Sequence, residues 1–206
     1  MADAGHWDEI YARKGDAVSW FRPTLDRSLA IIDRLGLPAG ASAIDVGAGA
    51  STLIDDLLAR GFGEVTVADL SAVALDGVRE RLGPAAARAR FVVGDITEVT
   101  LPADAYDLWH DRAVFHFLTD AAAREAYVRQ VLHALRPGGH VIVATFGLEG
   151  PKQCSGLPVV RYDEQGLHAT FGEAAFRKLG QERETHETPW GAQQEFVYCY
   201  CRCEAC

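Results

Sequence analysis

Nowhere does this chain of 206 residues string together a long apolar run, and a membrane-spanning helix needs roughly 18 such residues or more. Basic charge is also scarce: 20 Lys and Arg stand against 29 Asp and Glu, a formal net charge of -9. A binder of the nucleic-acid backbone needs a basic patch. The richest basic stretch, Arg79 to Arg90, is broken by Gly83, Pro84 and alanines and reads as a solvated helix face. Neither nucleic acid nor a membrane is expected as a partner. The opening Met1-Ala2-Asp3-Ala4-Gly5-His6-Trp7 lacks a basic region feeding an apolar one. The five cysteines are an odd number, with four crowded between Cys199 and Cys206, unlike a secreted disulfide framework. A cytoplasmic protein with reduced thiols is the expectation. Repeats and low-complexity tracts are missing as well. What remains is 49% apolar and 24% charged, the composition of a globular α/β protein of this length, expected to form one domain over 1–206.

Apolar segments of strand length alternate with amphipathic segments. Strands are predicted at Ser42 to Val46, Glu64 to Asp69, Arg90 to Asp95, Tyr106 to His110 and His140 to Thr145, with helices at Thr52 to Arg60, Ser71 to Leu82 and Ala121 to Leu135. Repeated strand-helix-strand units imply a mostly parallel sheet covered on both faces. A helical lead-in over 1–40, with Trp7 to Tyr11, Asp26 to Leu35 and an aromatic Trp20-Phe21 between them, is predicted to cap the crevice of a 41–206 core. After the fifth strand comes a Gly- and Pro-rich loop, Gly147 to Tyr162. It is followed by a helix near Gln165 to Leu179 and two closing strands, Gln181 to Glu187 and Gln194 to Cys203.

Four aspartates, Asp45, Asp69, Asp95 and Asp111, each close a predicted strand. In an open parallel sheet those ends line the ligand crevice. Carboxylates gathered there favour a cation and repel phosphate. S-adenosylmethionine, with a sulfonium, an ammonium and a ribose diol, suits them, whereas a dinucleotide would bring its pyrophosphate against Asp45. Each aspartate alone also fits a helix cap or a turn. Ala43 to Ser51 joins a strand to a glycine turn that opens a helix. Gly47 and Gly49 allow close backbone approach there, with Ala48 between them, and Thr52 stands where a dinucleotide fingerprint has its third glycine. Asp69 is placed to accept both ribose hydroxyls. Asp95 is placed to accept from the adenine amine while Leu70 and Ile96 sandwich the ring. Asp111 should lie near the reacting methyl.

Asp45-Val46-Gly47-Ala48-Gly49, Val67-Ala68-Asp69-Leu70-Ser71, Gly94-Asp95-Ile96, Tyr106-Asp107-Leu108-Trp109 and Leu135-Arg136-Pro137-Gly138-Gly139-His140 occur in that order. On these pieces the chain resembles the class I S-adenosylmethionine-dependent methyltransferases. The resemblance implies a Rossmann-like seven-stranded sheet whose last strand is antiparallel, and S-adenosyl-L-methionine as cofactor.

For the acceptor, no short-polar-Pro-Pro-aromatic signature follows strand four. Asp111-Arg112-Ala113 instead resembles the Asp-Arg/Lys-Gly segment of thiopurine-type thiol methyltransferases and of the elongation-factor and citrate-synthase lysine methyltransferases, with Ala113 in place of Gly. The acceptor is expected to be a small molecule with a thiol, N or O nucleophile. A protein lysine is the alternative, and a metalloid-binding enzyme or a non-catalytic binder are the others. Candidate catalytic residues are Asp111, Arg112 and His116. His116 reads as a general base or a packed helix residue, and Arg112 as a partner of Asp111 or, as the rival reading, a binder of an acidic acceptor. Trp20 fits stacking on the cofactor or the core. Cys154, His186 and Trp190 are expected on the pocket wall. Cys199, Cys201 and Cys203 alternate along one strand face. They read as core-filling thiols or, as the rival reading, a soft-metal site, and no metal ligand is assigned.

Overall fold

The computed structural model describes residues 3–15 and 17–204, so the readings made on Met1, Ala2 and Cys206 fall outside them. Helix α1 (Ala4–Lys14) and helix α2 (Asp26–Leu35) precede strand β1 (Ser42–Val46). Then come α3 (Leu53–Ala59), β2 (Glu64–Asp69), α4 (Ala72–Leu82), β3 (Ala89–Val93), β4 (Tyr106–Arg112), α5 (Ala121–Ala134) and β5 (Leu135–Phe146). A small hairpin of β6 (Gln153–Cys154) and β7 (Leu157–Pro158) leads to α6 (Glu164–Phe171), β8 (Phe176–Glu187) and β9 (Gln193–Cys203).

Seven of these strands form one sheet in the order β3-β2-β1-β4-β5-β9-β8. Strands β1 to β5 pair in parallel, β9 runs antiparallel to β5, and β8 runs antiparallel to β9. Strand β8 therefore points the same way as the parallel strands, and β9 is the one reversed strand. This is the Rossmann-like topology expected. Strand β1 is buried along its whole length, as a central strand covered on both faces must be. Alternate side chains feed two cores. Ala43 and Leu108 join Leu29, Ile32, Leu57 and Leu75 on the α1 to α4 side, while Ile44 and Trp109 join Tyr127, Val131, Leu167 and Phe171 on the α5 and α6 side.

Helix boundaries follow local chemistry. Ser71 caps α4 by accepting from the Ala74 amide, Asp120 caps α5 by accepting from the Ala122 and Ala123 amides, and Gly36 closes α2 in a left-handed conformation. Several boundaries depart from expectation, three of them for clear local reasons, while β5 begins at Leu135, ahead of the predicted His140. Strand β3 stops at Val93, because Gly94 turns at φ 148° and Asp95 folds back on the Thr97 amide. Strand β4 continues two residues further, to Arg112, because Arg112 still pairs with Ala144 of β5. Helix α6 ends early at Gly172, and Phe176 to Leu179 joins β8 instead. Among the described residues no helix is long and apolar enough to cross a membrane.

Cys199, Cys201 and Cys203 point into the α5 and α6 core, as expected of one strand face. Cys199 Sγ and Cys201 Sγ lie 3.5 Å apart. Cys203, however, is disulfide-bonded, which corrects the expectation of uniformly reduced thiols.

Candidate active site

The C-terminal ends of β1, β2 and β4 open into a cleft. Its floor is the glycine turn after β1. Gly47 has φ 64° and Gly49 φ 50°, and a Cβ on Gly47 would lie 1.9 Å from Val114 Cγ2, one on Gly49 2.1 Å from the Tyr11 hydroxyl. Both the backbone angle and the crowding require glycine here. The Gly47 amide donates to Ala68 O at 2.7 Å and ties the turn to β2.

Asp69 is buried beneath this turn. Its Oδ2 accepts from the Gly49 amide and its Oδ1 from the Ser71 amide, both at 2.8 Å. Burial pushes the carboxyl up to about 6, with the two amides pulling the other way. Each oxygen keeps a further lone-pair direction for a ligand hydroxyl. Leu70 and Ile96 line the same cleft with Gly94. Asp95 does not line it, since its Oδ1 is occupied by the Thr97 amide and hydroxyl.

Asp45 belongs to an adjoining cavity, which Ala48, Ala50, Ser51, Arg22 and His110 also line and which shares Trp20, Gly47 and Arg112 with the main cleft. Its Oδ1 meets His110 Nδ1 at 2.7 Å, and its Oδ2 is buried with no protein partner. Trp20, Asp45, Gly47, Ala48, Asp69, Leu70 and Ile96 are thus distributed over two neighbouring pockets that share Trp20, Gly47 and Arg112.

The β4 candidates require correction. Asp111 was expected beside the reacting methyl. It lies inside strand β4 and, one residue from His110 and Arg112, points to the opposite face. There it is fully buried, accepting from the Val114 and Phe115 amides and from the Tyr127 hydroxyl at 2.5 Å. Asp111 caps the short 3-10 turn Phe115–Phe117 and does not line the cleft. Burial raises its carboxyl to about 6. His116, a candidate base, is packed between the Phe117 and Phe146 rings, with Nδ1 accepting from the Phe146 amide at 3.3 Å. Burial lowers it to about 3, far too weak a base for neutral pH, and it is also outside the cleft.

Arg112 does reach the cleft, but it pairs with Glu184 and not with Asp111. It donates to Trp20 O at 2.9 Å, to the Tyr198 hydroxyl at 3.1 Å and to Glu184 Oε2 at 3.5 Å, and lies over the Phe196 ring. Glu184 also accepts from Arg22 at 2.7 Å. These bonds fasten the lead-in to the far strands. His186 Nε2 adds a 2.6 Å contact to Ser19 O. Of the expected wall residues Cys154 lines the cleft, His186 braces the lead-in, and Trp190 is 60% exposed and away from it. The remaining walls are Trp7, Tyr11, Ala113, Val114 and Phe117, which were not assigned from sequence. Ala113 is a non-glycine residue at φ 77°, the backbone reason a glycine suits this position.

Comparison with known proteins bears on this geometry. A family described as a methyltransferase domain matches residues 43–139, from β1 to the start of β5. The match and the fold support a class I S-adenosylmethionine-dependent methyltransferase. In sequence the chain is 23% identical over 151 residues to the eEF1A lysine and N-terminal methyltransferase homolog of Drosophila melanogaster, a match covering 69% of this chain and 22% of that protein. It thus spans about a fifth of the length of the curated relative it matches. In fold it resembles the N-methyltransferase NodS of Bradyrhizobium japonicum WM9, solved with S-adenosylhomocysteine (TM-score 0.74, 18% identity, 96% of this chain and 98% of that one). It also resembles the 1,6-didemethyltoxoflavin-N1-methyltransferase of Burkholderia thailandensis, solved with 1,6-didemethyltoxoflavin and S-adenosylhomocysteine (TM-score 0.70, 20% identity, 97% and 83%). These similarities support S-adenosyl-L-methionine as the cofactor.

Proposed function

We propose that this chain transfers the methyl group of S-adenosylmethionine to a small-molecule nucleophile bound in the aromatic part of the cleft. It acts as one domain whose lead-in lies over the cleft. The carrying observation is the wall formed by Trp7, Tyr11, Trp20 and Phe117, with Trp7 meeting Trp20 and Phe117 edge to face. Such a wall keeps water out and suits a flat or apolar acceptor.

The cofactor supplies an electrophilic methyl on a sulfonium. In this reading Asp69 holds the ribose diol, Leu70 and Ile96 enclose the adenine, Gly47 and Ala48 give the backbone room to approach, and the unpartnered oxygen of Asp45 faces the ammonium. A buried carboxylate oxygen without a partner is costly, and a ligand cation relieves that cost. Trp20 and Tyr11 offer ring faces and edges beside the sulfur. What remains for the protein is alignment of the incoming lone pair in a dry site.

Among the described residues no side chain on the acceptor-side wall of the cleft is suited to act as a base, and the carboxylate of Asp69 is held by the Gly49 and Ser71 amides. Burial pushes the Cys154 thiol up to about 12 and holds the Tyr11 phenol well above its usual range, while Asp111 and His116 lie elsewhere. The acceptor therefore brings its own lone pair, as a thiolate or a neutral ring nitrogen does. A protein lysine is the second reading, favoured by the Drosophila relative, but its ammonium would need a base to remove a proton.

The test is incubation with methyl-labelled S-adenosylmethionine, a panel of small thiols and N-heterocycles, and a cell extract. Label is expected in the small-molecule fraction. Label confined to protein would overturn the acceptor assignment in favour of lysine, and no label anywhere would overturn transfer.

A further inference from the structure

His110 sits at the centre of a buried chain of polar groups. Asp45 and His110 are register partners on β1 and β4, so their side chains stand side by side on the lead-in face. Asp45 Oδ1 lies 2.7 Å from His110 Nδ1, and His110 Nε2 lies 2.8 Å from Ser28 Oγ on α2. Relative exposures of 2%, 1% and 0% leave none of the three residues reliant on solvent.

A carboxylate can only accept, so Nδ1 carries the proton. In the neutral ring Nε2 is then the acceptor and the Ser28 hydroxyl the donor. The imidazole is held at both ends and in turn fixes the orientation of the carboxylate. Asp45 Oδ2 has no protein partner, although Asp45 is on the wall of the smaller cavity with Arg22 and Arg112. Asp45, Arg22 and Arg112 thus line one cavity, a charge set that matches a zwitterionic amino-acid end. Ser28 is a lone hydroxyl among the buried Leu29, Ile31 and Ile32 of α2, where an apolar residue would otherwise serve the packing.

We propose that His110 and Ser28 are positioning residues that hold Asp45 so that its free oxygen meets the ammonium of the cofactor's amino-acid end. Helix α2 of the lead-in thereby takes part in cofactor recognition without touching the ligand. The inference rests on the cofactor reading above.

The test compares binding of S-adenosylhomocysteine with that of 5′-methylthioadenosine, which lacks the amino-acid end, by titration calorimetry. In His110→Phe, S-adenosylhomocysteine should bind roughly 10- to 100-fold more weakly, the range for a lost charge-assisted contact, while 5′-methylthioadenosine changes by about twofold or less. His110→Asn keeps a donor near the Nδ1 position and should recover most of the loss. Ser28→Ala should show the same selectivity at a smaller size, roughly threefold. These two milder variants keep the test decisive if His110→Phe fails to fold. Equal weakening of both ligands, or no weakening of either, would overturn the relay. Wild-type protein that binds both ligands equally would overturn the relay and leave the adenosine site standing. Wild-type protein that binds neither would overturn the cofactor reading itself.

Discussion

The two sides of the cleft are built on different principles. On the β1 and β2 side, residues adjacent in sequence make the site: the glycine turn lies on Asp69 through the Gly49 amide, and Leu70 follows at once. On the acceptor side, every contact is long-range. Arg112 reaches Trp20 and Glu184, His186 reaches Ser19, and Cys154 comes in from the loop after β5. The first side is determined by local backbone geometry, the second by how the lead-in packs on distant strands.

If that contrast is correct, the largest effect should come from the local side. Asp69→Ala removes a ligand acceptor and the anchor of the Gly49 and Ser71 amides, and should weaken S-adenosylhomocysteine by roughly 100-fold or more. Titration calorimetry would show it, and a change below about threefold would place the ribose elsewhere. Next, Asp111→Ala should act on stability. Losing the Val114, Phe115 and Tyr127 bonds should cost about 2–4 kcal/mol in denaturant unfolding. Loss of transfer with stability unchanged would restore Asp111 to the chemistry.

An intermediate effect is expected from pH. Asp69 and Asp111 both have carboxyls raised from 3.8 to about 6 in the fold. A raised group stabilises the fold below its unfolded value, and that contribution is lost as pH rises through about 6. From pH 7 to pH 5 these two groups should make the ligand-free chain more stable. Cofactor affinity should fall over the same window, since a protonated Asp69 is a poorer acceptor for the ribose. Thermal melts with and without S-adenosylhomocysteine would separate the two trends, and parallel trends would contradict the role of Asp69. The smallest effect is expected at Ala113→Gly, which relieves a left-handed alanine and should add about 1 kcal/mol of stability. A destabilised variant would mean that the methyl packs well enough in the cleft to outweigh its strain.

The same contrast explains what was legible in the sequence. Strands β1 and β2 and the glycine turn could be read because apolar runs, glycines and strand-end acids are local signals. Asp111 and His116 were misplaced because β4 runs on to Arg112, and a strand two residues longer decides which face each side chain takes. The pairing of Arg112 with Glu184, 72 residues away, has no local signature. Alternation could have revealed His110, which shares a face with Arg112, once β4 was drawn at its full length. The aromatic wall was visible as a composition of the lead-in, but not as a surface, because which rings line a cavity depends on how α1 docks. Asp8 sets that docking by accepting from the Ser71 hydroxyl at 2.6 Å.

The most direct test of the account is titration of the wild-type chain with S-adenosylhomocysteine and, separately, with NAD. The arrangement of Asp45, Gly47 and Asp69 predicts one saturable site for S-adenosylhomocysteine and none for the dinucleotide, whose pyrophosphate would meet the Asp45 carboxylate. Binding of NAD in preference, or of neither ligand, would contradict it.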